Sequence, residues 1–364
     1  MKHTMKRMAA LAMASAMVFS LAGCGGSSQS GGTGTAQTTA APAADAGGAA
    51  EPAGEPAAEP EVKLIAAHVN NTESSFHYGL EEFKKNLEEL SGGKMTLEIH
   101  PNGELGGDES ELIEKVASGT VDVIIVSPAD LSNAVPQVDF LGLPFLYSSV
   151  DHWKTCIQDE SVGGYFANFV NEGGIFRALT YYMCGIRSVV STDPIESLAD
   201  MEGVKIRVKG SENVVRVWSD LGAQPTSLAY NEVYSGLQNN VIDAAENDIA
   251  NILSMKFYEP APNVTLSQHD YATRFVVISA NKYNSLTDEQ KAWVDEAADA
   301  SAVPQWEYDE SYAEDCRAQL ESEGTNFIEV NTDEWIAKVE PSIAEIADKL
   351  GVTEGYQAIV DKKQ

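Results

Sequence analysis

Few cysteines, few basic residues and no long apolar run mark this 364-residue chain. It has four cysteines, and none stands in a CxxC pair or at a spacing that suits a structural zinc site. No HExxH, GxSxG or phosphate-binding glycine loop occurs, so the common signatures of metalloprotease, serine hydrolase and nucleotide-hydrolase chemistry are missing. The histidines of the body (His68, His77, His100, His152 and His269) are scattered rather than clustered. Lysine and arginine together number 24 against 55 acidic residues, a net charge of −31. Such a surface repels nucleic acid and anionic lipid, so no nucleic-acid partner is expected.

The first residues have the form of an export signal. Lys2, Lys6 and Arg7 precede an uncharged stretch, Met8 to Leu21. A membrane span needs roughly 20 apolar residues, and this stretch falls short of that. It fits the apolar core of a secretory signal over 1–23. The stretch ends in Leu21-Ala22-Gly23-Cys24, which resembles the lipobox of bacterial lipoproteins. That resemblance implies cleavage before Cys24, a diacylglycerol on its thiol and attachment to a membrane outside the cytoplasm. Loss of Lys2, Lys6 and Arg7 would take the net charge from −31 to −34. Gly25 to Glu61 contains no aromatic residue, valine, leucine or isoleucine. It cannot bury apolar surface, so 24–61 is expected to be a lipidated cysteine and a disordered tether. A flexible chain of that length has an r.m.s. reach of about 35 Å.

Residues 62–364 suffice for a large core, more often two lobes than one. Strand and helix patterns alternate along them. Val62 to Val69 reads as a strand, Phe76 to Leu90 as a helix stopped by Gly92-Gly93, and Met95 to Ile99 as a strand. Glu109 to Ser118 reads as a helix and Val121 to Val126 as a buried strand. A second series has strands at Val204 to Val208, Val241 to Ala245 and Phe275 to Ser279, with helices at Val214 to Leu221 and Glu232 to Gln238. The order predicts an α/β protein with mostly parallel pairing. Thr287-Asp-Glu-Gln290 forms a capping box that opens a helical stretch to about Ser322, and Pro304 predicts a kink or break within it. Trp335 to Leu350 forms a last helical region. With Cys24 lipidated, Cys156, Cys184 and Cys316 remain, as a Cys156–Cys184 disulfide plus one thiol or as buried reduced thiols.

Several short motifs occur in a fixed order: Leu105-Gly-Gly-Asp-Glu109, Val116-Ala-Ser-Gly119, Leu143-Pro-Phe-Leu146, Asp200-Met-Glu-Gly-Val-Lys-Ile-Arg-Val208, Leu221-Gly-Ala-Gln-Pro225, Glu232-Val-Tyr234, Val241-Ile-Asp-Ala-Ala-Glu-Asn247 and Lys256-Phe-Tyr-Glu259. As a set they resemble the DctP-type substrate-binding proteins of tripartite ATP-independent periplasmic (TRAP) transporters. The resemblance implies a non-enzymatic, cofactor-free, two-lobed fold of the type II periplasmic-binding-protein kind. It implies mixed sheets and a long helix spanning both lobes, with lobe one at about 62–184 and 274–312 and lobe two at about 185–273 and 313–364. A monomer is expected, with a small carboxylate as ligand and the transporter's membrane subunits as partners. A ligand-sensing protein serving a signalling receptor is the alternative on the same fold.

The family's hallmark arginine matches Arg207, whose planar fork suits a carboxylate. By pattern alone Arg207 is one of three cations on an amphipathic strand with Lys205 and Lys209. Arg187 matches a second family arginine, or serves as an interlobe ion pair. Asn247 matches an amide that bonds the same carboxylate, or caps the next helix. Tyr230 matches a pocket aromatic, or packs in the core. Asn70, Ser75 and Ser127 are expected to meet the far end of the ligand, with His68, Asp108 and His269 as outer contacts. Sialic-acid binders of the family carry glutamate where Ser127 stands, which points away from sialic acid and toward a uronate, aldonate or C4-dicarboxylate.

Overall fold

The computed structural model describes residues 60–363. The expected leader, Cys24 and all but the end of the expected tether lie outside the described residues. Among the described residues there are nine strands: β1 Val62–Ala67, β2 Met95–His100, β3 Val123–Val126, β4 Phe176–Ser191, β5 Lys205–Val208, β6 Gln224–Ser227, β7 Ala244–Asp248, β8 Asn263–Ser279 and β9 Asn326–Glu329. They do not form separate sheets. They join in one sheet of order β2-β1-β3-β8-β4-β7-β5-β6, with β9 added on β8.

Each end of the sheet is parallel, as the alternating elements require: β2-β1-β3 at one end, β7-β5-β6 at the other. Between them β4 and β8 run antiparallel over 16 and 17 residues. A strand of that size has a contour of about 54 Å at about 3.4 Å per residue. Consequently β3 pairs with the last residues of β8, Phe275 to Ile278, while β7 pairs with the last residues of β4, Arg187 to Ser191. The β4–β8 register shifts at three places along the way.

Local chemistry explains the helices that position the cavity. In Ser75–Ser91 the apolar residues Phe76, Leu80, Phe83 and Leu87 are buried on one face. Ser74 caps its start, and Gly92, at φ +62°, closes its end by donating its N–H to Glu89 O at 3.2 Å. Thr287 and Gln290 form the expected capping box. Of the kink or break expected at Pro304, the break does not occur: the helix is continuous from Asp288 to Ser322 with Pro304 inside it. Side chains on both sides of the proline tie it to β4. Gln305 bonds Met183 N and O at 2.9 and 2.8 Å, Trp306 Nε1 donates to Tyr181 O at 3.0 Å, and Ser301 Oγ meets Tyr182 OH at 2.7 Å. Those bonds offset the single backbone donor that proline lacks.

One strand lies further along the chain than its pattern indicated. Val241 to Ala245 was the expected span, but β7 is Ala244–Asp248. Asn240 takes φ +57° in the preceding turn, and Val241 is 60% exposed. Beyond Leu350 a further helix, Thr353–Asp361, packs on the short turn Glu160–Gly164, and Ile359 O bonds His152 Nε2 at 2.9 Å. Cys156, Cys184 and Cys316 are buried free thiols. Among the described residues no helix is long and apolar enough to cross a membrane.

Candidate ligand-binding site

A cavity of about 630 Å³ opens where the two parallel ends of the sheet face each other across β4 and β8. The turn after β1 and the start of helix Ser75–Ser91 line it with Asn70 and Ser75. Asp108 and Glu109 enter from the start of helix Glu109–Ala117, and Ser127 from the end of β3. Arg187 comes from β4, Arg207 from β5, Asn247 from β7 and Arg274 from β8. Tyr230, Lys209 and Asp309 add to its charged and aromatic lining, as do Phe76 and Asp130. Ligands of open α/β sheets gather at such strand ends.

Four cations reach this cavity, and they differ in what neutralises them. Arg187 is buried, and its Nε donates to Glu246 Oε2. Its Nη1 donates to Asn247 Oδ1 at 2.7 Å and its Nη2 to Glu246 O at 2.5 Å. Asp248 and Asp270 lie at 3.8 and 3.9 Å. Burial alone would lower the Arg187 pKa, but Glu246, Asp248 and Asp270 outweigh it and the value rises. Lys209 Nζ donates to Asp270 Oδ2 at 3.1 Å, and burial still pulls its pKa down. Arg187 thus sits in an ion-pair cluster, but its partners all fall within 185–273 together with it, so the pair is not the interlobe one anticipated; its charge is already answered.

Arg207 is different. Its Nε donates to Leu228 O at 3.0 Å, which fixes the plane of the guanidinium. Its Cζ sits 5.6 Å from the centre of the Tyr230 ring. Among the described residues no carboxylate lies within ion-pair distance of it, and burial draws its pKa below the ordinary arginine value. The outer nitrogens of the fork therefore face the cavity without a protein counter-charge.

Asn247 stands beside it with a fixed orientation. Its Oδ1 accepts from Arg187 and from Asp248 N at 3.0 Å, and its Nδ2 donates to Tyr230 OH at 3.0 Å. It does not cap the following helix, because the Asp248 side chain does. Tyr230 is not core, being 39% exposed, with its ring edge-on to Phe257 at 5.9 Å.

On the opposite wall Ser75 Oγ donates to Asp309 Oδ1 at 2.6 Å. Ser127 caps the short helix after β3, donating to Asp130 Oδ2 at 2.5 Å and accepting from Asp130 N at 3.1 Å. Asn70 lines the cavity with no side-chain bond to the protein among the described residues. His68 does not reach the cavity. It is fully buried beside His77 at 3.1 Å and Phe76, and its pKa is lowered to about 3, by burial first and then by His77. His269 is likewise behind the wall, bonded to Ser267 and edge-on to Trp218.

Sequence reading did not point to Arg274 or Glu109 as lining residues. The signal for Arg274 is a lone cation directly before the apolar run Phe275-Val-Val-Ile278, which folds at the end of a buried strand.

Residues 66–350 match the family model described as bacterial extracellular solute-binding protein, family 7, the DctP type. The chain belongs to that family. It is 35% identical over 272 residues to a solute-binding protein of Roseobacter denitrificans, covering 74% of this chain and 82% of the relative. It is 30% identical over 228 residues to the 2,3-diketo-L-gulonate-binding periplasmic protein of Escherichia coli, covering 62% and 69%. A crystal structure of a TRAP periplasmic solute-binding protein from Bradyrhizobium, in complex with α/β-D-galacturonate, superposes with a TM-score of 0.77 at 28% identity, covering 82% of this chain and 99% of that one. The fold is the two-lobed type II fold expected from the ordered motifs, and the family is one of extracytoplasmic solute-binding proteins, not enzymes.

Proposed function

We propose that this protein captures a small organic acid outside the cytoplasm and delivers it to the membrane subunits of a TRAP transporter. A sugar acid such as a uronate or aldonate is the first choice of ligand and a C4-dicarboxylate the second. The observation that carries the reading is the state of Arg207. In a chain of net charge −31, this cavity-lining guanidinium is the one cation there without an ion-pair partner among the described residues. A ligand carboxylate fits its planar fork bidentately. The remaining N–H of Asn247 lies beside that position, and the ring of Tyr230 offers a face for the ligand's carbon skeleton. Asn70, Ser75 and Ser127 stand across the cavity, Arg187 holds Asn247 in place, and His68 supports the wall from behind. Relatives and structural neighbours that bind 2,3-diketo-L-gulonate and galacturonate support the same ligand class.

Arg207→Ala and a thermal-shift screen of organic acids test this reading. Wild-type protein is expected to gain stability with at least one carboxylate, and the variant to lose that gain. Stabilisation that survives Arg207→Ala ends the mechanism. The same reading places the chain as a monomer on a lipid at Cys24, with 25–61 as its tether. Cys24→Ser is expected to free the chain from the membrane fraction, and a variant that stays bound would remove the anchor.

A further inference from the structure

Arg274 is 7% exposed, lines the cavity and is poorly satisfied. Its Nη1 donates only to the neighbouring carbonyl of Thr273, at 3.1 Å. Its Nε, fully buried, makes no hydrogen bond at all. The nearest carboxylate, Glu109 Oε1, is 3.8 Å from that nitrogen, close enough for attraction but too far for a hydrogen bond. A buried donor left unpaired costs about 1–3 kcal/mol. A ligand cannot touch this enclosed nitrogen, but among the described residues Nη2 also has no hydrogen bond and is not enclosed, so the guanidinium meets a ligand through its outer edge.

Glu109 is held in place from the other side. Its Oε2 accepts from Ser127 N at 2.6 Å, and Asp130, fixed by Ser127 and by Ser110 Oγ at 3.2 Å, stands next to it. Beneath the guanidinium lies the ring of Phe76, 5.8 Å from Arg274 Cζ. This pole therefore offers charged donors and acceptors side by side on an aromatic floor. A second carboxylate would gain from Arg274 but meet Glu109 and Asp130. A methyl group would leave the Arg274 donor unpaired. A hydroxyl group both donates and accepts, and satisfies an arginine and a carboxylate at once.

Arg274 rises from β8 and Arg207 from β5, three places apart in the sheet, and both face the same cavity. We propose that the Arg274–Glu109 pair is the specificity pole of this binding site, reading hydroxyl groups on the tail of an acid whose carboxylate is held by Arg207. The pair selects polyhydroxylated acids over dicarboxylates. The inference rests on the acid-capture reading above and sharpens its ligand class.

The test is calorimetry on the full chain with D-glucuronate, D-galacturonate, D-gluconate and succinate, comparing wild type, Arg207→Ala, Arg274→Met and Arg274→Lys. The expected result is tight binding of at least one hydroxylated acid by wild type and weak or no binding of succinate. Arg274→Met is expected to weaken the best hydroxylated acid by about 10- to 100-fold, the worth of a hydrogen bond to a charged group. It should also change the ranking among the three sugar acids, which a purely structural defect would lower together. Arg274→Lys keeps the charge beside Glu109 and guards against a folding failure; it is expected to fall between wild type and Arg274→Met. Loss of sugar-acid binding in Arg207→Ala, with unchanged affinity and ranking in both Arg274 variants, overturns this inference and leaves acid capture standing. Preference for succinate also overturns this inference while leaving acid capture standing, and binding of no acid overturns both.

Discussion

Asn247 Oδ1 accepts a hydrogen bond from Arg187 Nη1 at 2.7 Å, and that bond decides which way the amide faces. With its oxygen spent on Arg187 and on Asp248 N, only the amide nitrogen is left to look toward Tyr230 and the cavity. A buried arginine with no free charge of its own thereby sets a donor beside Arg207.

Asn247→Asp replaces that donor with a negatively charged oxygen while retaining an acceptor for Arg187. Like charges brought together at a binding surface cost several kcal/mol. The affinity for the best acid found by screening is expected to fall at least about 100-fold by calorimetry. An affinity equal to wild type would take Asn247 out of the contact.

Arg187→Met addresses stability rather than binding. Glu246 and Asp270 are buried with Arg187 between them, and Arg187 is the main influence that pulls the Glu246 pKa down against burial. Removing one member of such a cluster costs about 3–5 kcal/mol, because the remaining charges lose their compensation. Urea unfolding is the measurement, and a cost below about 1 kcal/mol would mean that water reaches the cluster.

Asp309 gives a pH dependence. Burial, with Asp248 nearby, raises its pKa to about 7, although Ser75 Oγ and Gly185 N both donate to it. An acid with a folded pKa above its unfolded value of about 3.9 keeps its proton longer in the folded state. Its contribution to stability is therefore complete below about pH 4 and is lost as the pH climbs to about 7. Asp309→Asn removes that loss. The stability of the variant relative to wild type is expected to rise between about pH 4 and 7, by at most about 1.4 kcal/mol per pH unit, and to level off above. A difference that stays flat across that window would place the Asp309 titration elsewhere.

Where local chemistry and fold agree, the sequence was readable. The helix from Ser75 shows its apolar spacing, Thr287 and Gln290 declare a helix start, and β5 alternates apolar and cationic residues. The central strands were not readable in the same way. β4 and β8 each carry long polar stretches, such as Arg187-Ser188 and Ser267-Gln-His-Asp270, that no alternation rule would assign to a buried strand. Those groups are buried because partners far along the chain satisfy them, as Glu246 does for Arg187. β7 was misplaced for the same reason: its residues Glu246, Asn247 and Asp248 look like a loop until Arg187 is set against them.

Arg207, Asn247 and Tyr230 were reached through resemblance to a family, and the structure brings all three together. Arg274 had no such guide, and Glu109 stood only at the end of a family motif without an assigned role. Their meaning depends on an unpaired Nε and a carboxylate at 3.8 Å, neither of which can be seen without coordinates.

The long central strands also set a rule for anyone who would recombine this protein. β4 and β8 lie between the two parallel ends and link them, β8 pairing with β3 and β4 with β7, and the helix Asp288–Ser322 packs both on Ser75–Ser91 and on Ile249–Ser254. An exchange of one end with a relative would need joins inside two hydrogen-bonded strands and a helix, all within the body. Neither end has a seam at which to be cut out, so its pocket can be re-lined residue by residue far more readily than assembled from parts.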